Sequence, residues 1–131
     1  MGAMKLLVDT HAVLWWLADD KRLSRPAKKA MQSRANTLVV SAASVWEIAT
    51  KHRLGKLPGV AALMDDLPGH LQRSGFELLS ISAAHAALAG SFVSDHRDPF
   101  DRVLAAQSRL EPMPIVSVDP ALRAFGVDIV W

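Results

Sequence analysis

Short apolar runs alternate with helix-patterned segments along the whole of this 131-residue chain. Lys5–Val8, Thr37–Val40, Glu77–Ile81, Pro114–Val118 and Val127–Val130 read as strands, being short and rich in β-branched and other apolar residues. Between them lie segments with helical spacing or helix caps. These are Thr10–Asp19, a helix capped by Ser24 with Pro26 near its start, Ser41–Arg53 closed by Gly55, Pro58–Arg73, Ser82–Leu88, Asp98 to about Leu110, and a turn at Pro120–Ala124. Strand–helix–strand alternation predicts an α/β fold with a mainly parallel sheet covered on both faces, because parallel neighbours need a crossover and the crossover is a helix. No repeat or long linker divides the chain, so one domain over residues 4–131 is expected. Met1-Gly2-Ala3 has the look of a cloning remnant ahead of Met4.

The second constraint is where the acids fall. Asp9 closes the first strand, Glu47 sits in the helix after the second, Asp98 and Asp101 frame Pro99-Phe100, and Asp119 closes the strand at Ile115–Val118. The chain has only three Glu in all, Glu47, Glu77 and Glu111. In open parallel sheets, ligands sit at the carboxyl ends of strands, and Asp9 and Asp119 fall on that edge. Gathering buried acids is costly without a compensating cation. For oxygen ligands that cation is Mg²⁺ or Mn²⁺.

Each acid also has a plainer explanation. Asp9, Asp98 and Asp119 are all well placed to cap the helical segment that follows. Asp98, Pro99 and Asp101 together make a complete helix start, with Arg97 and Arg102 beside them as alternative cationic partners. Ser44 and Glu47 could form a capping box, but Ser41 is as good a cap and would leave Glu47 free in the second turn. Ser117, two residues before Asp119, is expected to hydrogen-bond its carboxylate.

Composition excludes more than it assigns. Half the chain is apolar, yet no run approaches the roughly 20 residues of a membrane span, and no segment reads as a secretory signal. Cysteine is absent, which removes disulfides, thiolate chemistry and zinc–sulfur sites and suits a cytoplasmic protein. The net charge is only +2, but Lys21–Arg34 carries six cations and Lys51–Lys56 forms a second basic cluster. Basic segments beside an acidic site suit a polyanion held by its phosphates. The five histidines, His11, His52, His70, His85 and His96, lack metal-ligand spacing, and His96 is read as a solvated surface residue. There is no nucleotide-binding glycine loop, and Ser44 and Ser117 lack the setting of a serine hydrolase.

Four stretches, taken together, resemble the motifs of PIN-domain ribonucleases, most nearly the VapC-type toxins of bacterial toxin–antitoxin pairs. They are Leu6-Leu7-Val8-Asp9-Thr10-His11, Ser41–Ile48, His96–Arg102 and Ser117-Val118-Asp119, in the right order and spacing from about Lys5 to Trp131. The resemblance implies a three-layer α/β/α sandwich, Mg²⁺- or Mn²⁺-dependent cleavage of RNA, a homodimer, and a small VapB-type antitoxin that blocks the site. By motif position it implies Asp9, Glu47, Asp101 and Asp119 as the acidic quartet, with Asp98 as an additional metal ligand. Lys51 and Arg102 are candidate RNA-phosphate contacts. Asp95 stands where relatives often carry a histidine, which bears on substrate preference. Two other readings stay open. One is a non-catalytic PIN-like interaction module, which four filled acidic positions oppose. The other is a metal-dependent phosphatase with Asp9 as nucleophile, which Thr10-His11-Ala12 opposes by offering no second acid.

Overall fold

The computed structural model describes residues 3–131; Met1 and Gly2, two of the three residues of the supposed remnant, lie outside that range. Five strands form one sheet: β1 (Lys5–Val8), β2 (Thr37–Ser41), β3 (Phe76–Leu79), β4 (Ile115–Val116) and β5 (Ile129–Val130). All pair in parallel, in the order β3-β2-β1-β4-β5. The helices are α1 (Thr10–Leu17), α2 (Arg25–Gln32), α3 (Ala42–Arg53), α4 (Leu67–Arg73), α5 (Ala83–Ser91) and α6 (Pro99–Leu110), with 3₁₀ turns at Ala61–Leu63 and Pro120–Phe125.

The pleat of β1 sorts the core into two layers. Leu6 and Val8 face one way, into a cluster with Val13, Ala27, Met31, Ile48 and Leu71. Leu7 faces the other way, towards Leu104, Ile115, Leu122 and Phe125. Successive strand residues point to opposite faces, so a strand buried on both sides must be apolar throughout, as β1 is after Lys5. The result is the expected three-layer α/β/α sandwich.

Helix starts follow the local chemistry of the sequence. Asp9, Ser24, Ser41, Asp66, Ser82 and Asp98 each accept a backbone N–H in the first turn of the helix they precede. Ser41 is the cap of α3, so Ser44 and Glu47 form no capping box there. Other boundaries differ from expectation. Pro58–Arg73 is not one helix: Asp66 caps a new start at Leu67 with Pro68 in its first turn, a position where the missing N–H costs nothing. α1 stops at Leu17, and Asp19 takes a left-handed φ of 49°. β3 begins at Phe76 and ends at Leu79, because Ser80 and Ile81 are spent on the approach to the Ser82 cap. α5 runs on to Ser91. No helix among the described residues is long and apolar enough to cross a membrane.

Sheet order positions the site. The chain steps outward from β1 to β2 and β3, then returns to the other side of β1 for β4 and β5. The switch therefore lies between β1 and β4, where Val8 is in register with Val116. Crevices at such switch points are where open α/β sheets bind ligands.

Candidate active site

Asp9 follows β1 directly and is 7% exposed. One carboxylate oxygen accepts the Ala12 N–H at 2.9 Å. Burial pushes its pKa up, while the Ser117 hydroxyl, the Ala12 N–H and His11 work the other way and the Glu47 charge adds to the rise. Ser117 thus serves Asp9 and not the Asp119 carboxylate as expected; its oxygen also accepts the Asp119 backbone N–H at 3.0 Å.

Glu47 reaches the same crevice from α3. Its side chain is buried, with one oxygen accepting the Thr10 hydroxyl and the other the Lys51 ammonium one turn later. The Thr10 oxygen also lies 3.0 Å from the Ser44 hydroxyl. A buried carboxylate is tolerable only when its oxygens are satisfied, and Thr10 and Lys51 do that, with Ser44 holding the Thr10 hydroxyl. The sequence assigns Thr10 no role of its own; its position directly after Asp9 is the one signal that could have found it.

From the other side, Asp98 caps α6, accepting the Phe100 and Asp101 N–H groups at 2.9 and 3.3 Å. Asp101, in the first turn, is pushed up to about 6 by burial and the neighbouring Asp98 and Glu47 charges, against hydrogen bonding from His96. His96 Nε2 lies 2.9 Å from Asp101 Oδ2. Asp119 caps the 3₁₀ turn through the Ala121 N–H at 2.9 Å. The capping readings are therefore correct for Asp9, Asp98 and Asp119. They do not compete with a ligand role, because each cap contact uses one carboxylate oxygen of two.

The five acids meet in one cleft of about 220 Å³, with Lys51 on its wall. Ligand atoms of His96, Asp101 and Asp119 come within 4.8 Å of one another. Oxygen donors in this number, with a single ammonium among them, fit a hard divalent cation by donor chemistry. Arg102, expected to contact phosphate, has a different task. Its guanidinium donates to the carbonyls of Ala89, Phe92 and His96 and lies beside the packed Phe92 and Phe125 rings, 5.9 Å from each centroid. It ties the segment before Asp98 to α6.

Comparison with known proteins agrees with this architecture. The PIN domain family model matches residues 6–127. Ribonuclease VapC22 of Mycobacterium tuberculosis is 31% identical over 122 residues, covering 91% of this chain and 90% of that protein. Among solved structures, VapBC2 from Rickettsia felis, bound to a DNA fragment from its promoter, superposes with a TM-score of 0.68 at 13% identity, covering 96% of this chain and 97% of the other. A toxin–antitoxin complex from Klebsiella pneumoniae gives a TM-score of 0.58 at 16% identity, covering 87% and 86%. At such identities these two likenesses speak to the fold.

Proposed function

This chain belongs to the PIN domain family, and on that footing we propose that it is a divalent-metal-dependent endoribonuclease, the toxin of a toxin–antitoxin pair acting in the cytoplasm. The observation that carries the reading is the convergence of Asp9, Glu47, Asp98, Asp101 and Asp119 on one cleft at the β1–β4 switch. The relative at 31% identity bears the name ribonuclease, which supports the reaction class.

Asp9 and Asp101 are the residues we assign to direct ligation of Mg²⁺ or Mn²⁺, with Asp98, Glu47 and Asp119 as further ligands or as acceptors for coordinated water. Bound there, the ion supplies Lewis acidity to the phosphodiester and to the water that attacks it. Thr10 and Lys51 fix the Glu47 carboxylate in the cleft before substrate arrives. Lys51, only partly buried, can also meet a phosphate oxygen.

An antitoxin would have a place to dock. A groove of about 640 Å³, walled by Trp15, Leu17, Leu57, Val60 and Leu63, adjoins the acidic cleft at His11, which lines both. A partner helix seated there could deliver a cationic side chain to the carboxylates. We also take the active form to be a homodimer. What supports this is exposed apolar surface on two helices: Trp46 of α3, 58% exposed, and Ala83, Ala84, Ala86 and Ala87 of α5.

The deciding experiment offers RNA and a phosphate monoester to the purified protein. RNA cleavage that stops with excess chelator and returns with Mg²⁺ or Mn²⁺ is expected. Hydrolysis of the monoester alone, or full RNA cleavage after rigorous metal removal, would overturn the assignment.

A further inference from the structure

His96 is held far more firmly than a solvated surface histidine needs to be. Its backbone N–H donates to the Ser94 hydroxyl at 3.1 Å, and its carbonyl accepts from Arg102 at 2.9 Å. The ring stands edge-on to Phe125, at 5.5 Å and 89°. These restraints set the imidazole beside Asp101, with Asp119 close by. Cation ligands about 2.1 Å from a shared ion stand about 3 Å apart in neighbouring octahedral positions and about 4.2 Å apart across it. The 2.9 Å between His96 Nε2 and Asp101 Oδ2 matches neighbouring positions, and all three groups lie within 4.8 Å of one another, so a small inward shift of the side chains would let them share one ion.

Resting on the metal-dependent reading above, we propose that His96 is a nitrogen ligand of the bound cation, making the site a mixed nitrogen–oxygen centre that favours first-row transition ions over Mg²⁺. Mg²⁺ takes oxygen ligands and keeps its waters, whereas an imidazole adds affinity in the order Mn²⁺, Fe²⁺, Co²⁺. The preference is built into the loop before α6: Arg102 clamps the loop, the loop presents His96, and His96 sits against Asp101. Metal selectivity therefore depends on a residue outside the acidic quartet.

The probe is Mn²⁺ alone, added to the full chain, with electron spin-echo modulation reporting directly bonded ¹⁴N. Wild type is expected to show the nitrogen coupling, His96→Gln to lose it, and His11→Gln, at the histidine that lines the cleft, to keep it. In parallel, the Co²⁺-to-Mg²⁺ affinity ratio from calorimetry should fall about tenfold or more in His96→Gln. Near-ultraviolet circular dichroism and the melting temperature check that the variant folds, and His96→Asn provides a second variant. Mn²⁺ bound without nitrogen coupling, or with coupling that disappears only in His11→Gln, would overturn the proposal; His96 would then merely orient Asp101. Those results leave the ribonuclease reading standing, since that reading fails only if RNA is cut without metal or not cut at all.

Discussion

The wall of the cleft built on β1 and β2 and the wall built on the start of α6 carry the same kinds of side chain but hold them by different means. On the first, Asp9, Thr10 and Glu47 are all at most 7% exposed, and the polar atoms of Thr10 and Glu47 find partners among Ser44 and Lys51. These residues follow strands that pair in continuous register, so the sheet itself sets their positions. On the second, the side chains of His96 and Asp101 are over a fifth exposed, and the segment from Phe92 to Asp98 belongs to no strand or helix. Arg102 holds that segment through three carbonyls. The first wall offsets desolvation with an internal network; the second keeps partial solvation and relies on one guanidinium for its shape.

The largest expected effect tests whether both walls serve the same chemistry. Asp9→Asn and Asp101→Asn should each slow RNA cleavage by on the order of a thousandfold, as removal of a charge-stabilising group can. Asp9→Asn should leave the melting temperature without added metal nearly unchanged, because Asn caps a helix about as well as Asp. Single-turnover cleavage and thermal unfolding read the two quantities. If only one substitution abolishes activity, the two walls do not share a cation.

Arg102→Ala comes next, at about 3 kcal/mol of stability, since it strands three carbonyls that a charged donor had satisfied. Arg102→Lys should recover less than half of that, because an ammonium cannot address three carbonyls as a planar fork does. Hydrogen exchange should rise first between Phe92 and Asp98. A uniform rise across the sheet would show that the clamp supports the whole fold and that the two walls are not separable.

On the fixed wall, Thr10→Val keeps the side chain's shape and removes the hydroxyl from Glu47. The cost should be about 1.5 kcal/mol by urea unfolding, the range for leaving one buried acceptor short of a donor.

The smallest effect is a pH dependence read at Asp101, on the second wall. Asp101 is pushed up to about 6 from an ordinary 3.8, so the folded protein holds this proton more tightly than the unfolded chain does. The stability it contributes is full below pH 3.8 and is lost as pH rises through about 6. Without divalent cation, the wild type should gain about 1 kcal/mol relative to Asp101→Asn between pH 7 and pH 5. No relative change across that window would mean that the carboxyl is as well solvated as a free one.

Local chemistry written into the sequence determined the alternation of strands and helices, the strand cores at Leu6–Val8 and Val39–Val40, and the caps at Asp9, Ser24, Ser41, Ser82 and Asp98. Each depends on a handful of neighbouring residues: a cap on its own N–H groups, a strand on its own alternation. That is also why the acids were legible as a set, since all of them sit at such starts and ends or one turn beyond. Where the pattern was ambiguous, the prolines and aspartates settled it only in three dimensions, as in the split of Pro58–Arg73 at Asp66. Partnerships across long sequence separations were beyond local reading. Thr10 meets Glu47 from 37 positions away, Ser117 serves the carboxylate of Asp9 and not that of its neighbour Asp119, and Arg102 turns from the cleft to hold the chain behind it. Tertiary structure decided these because a polar side chain takes whichever partner satisfies it at least desolvation cost, and which partners are within reach depends on the order of strands in the sheet.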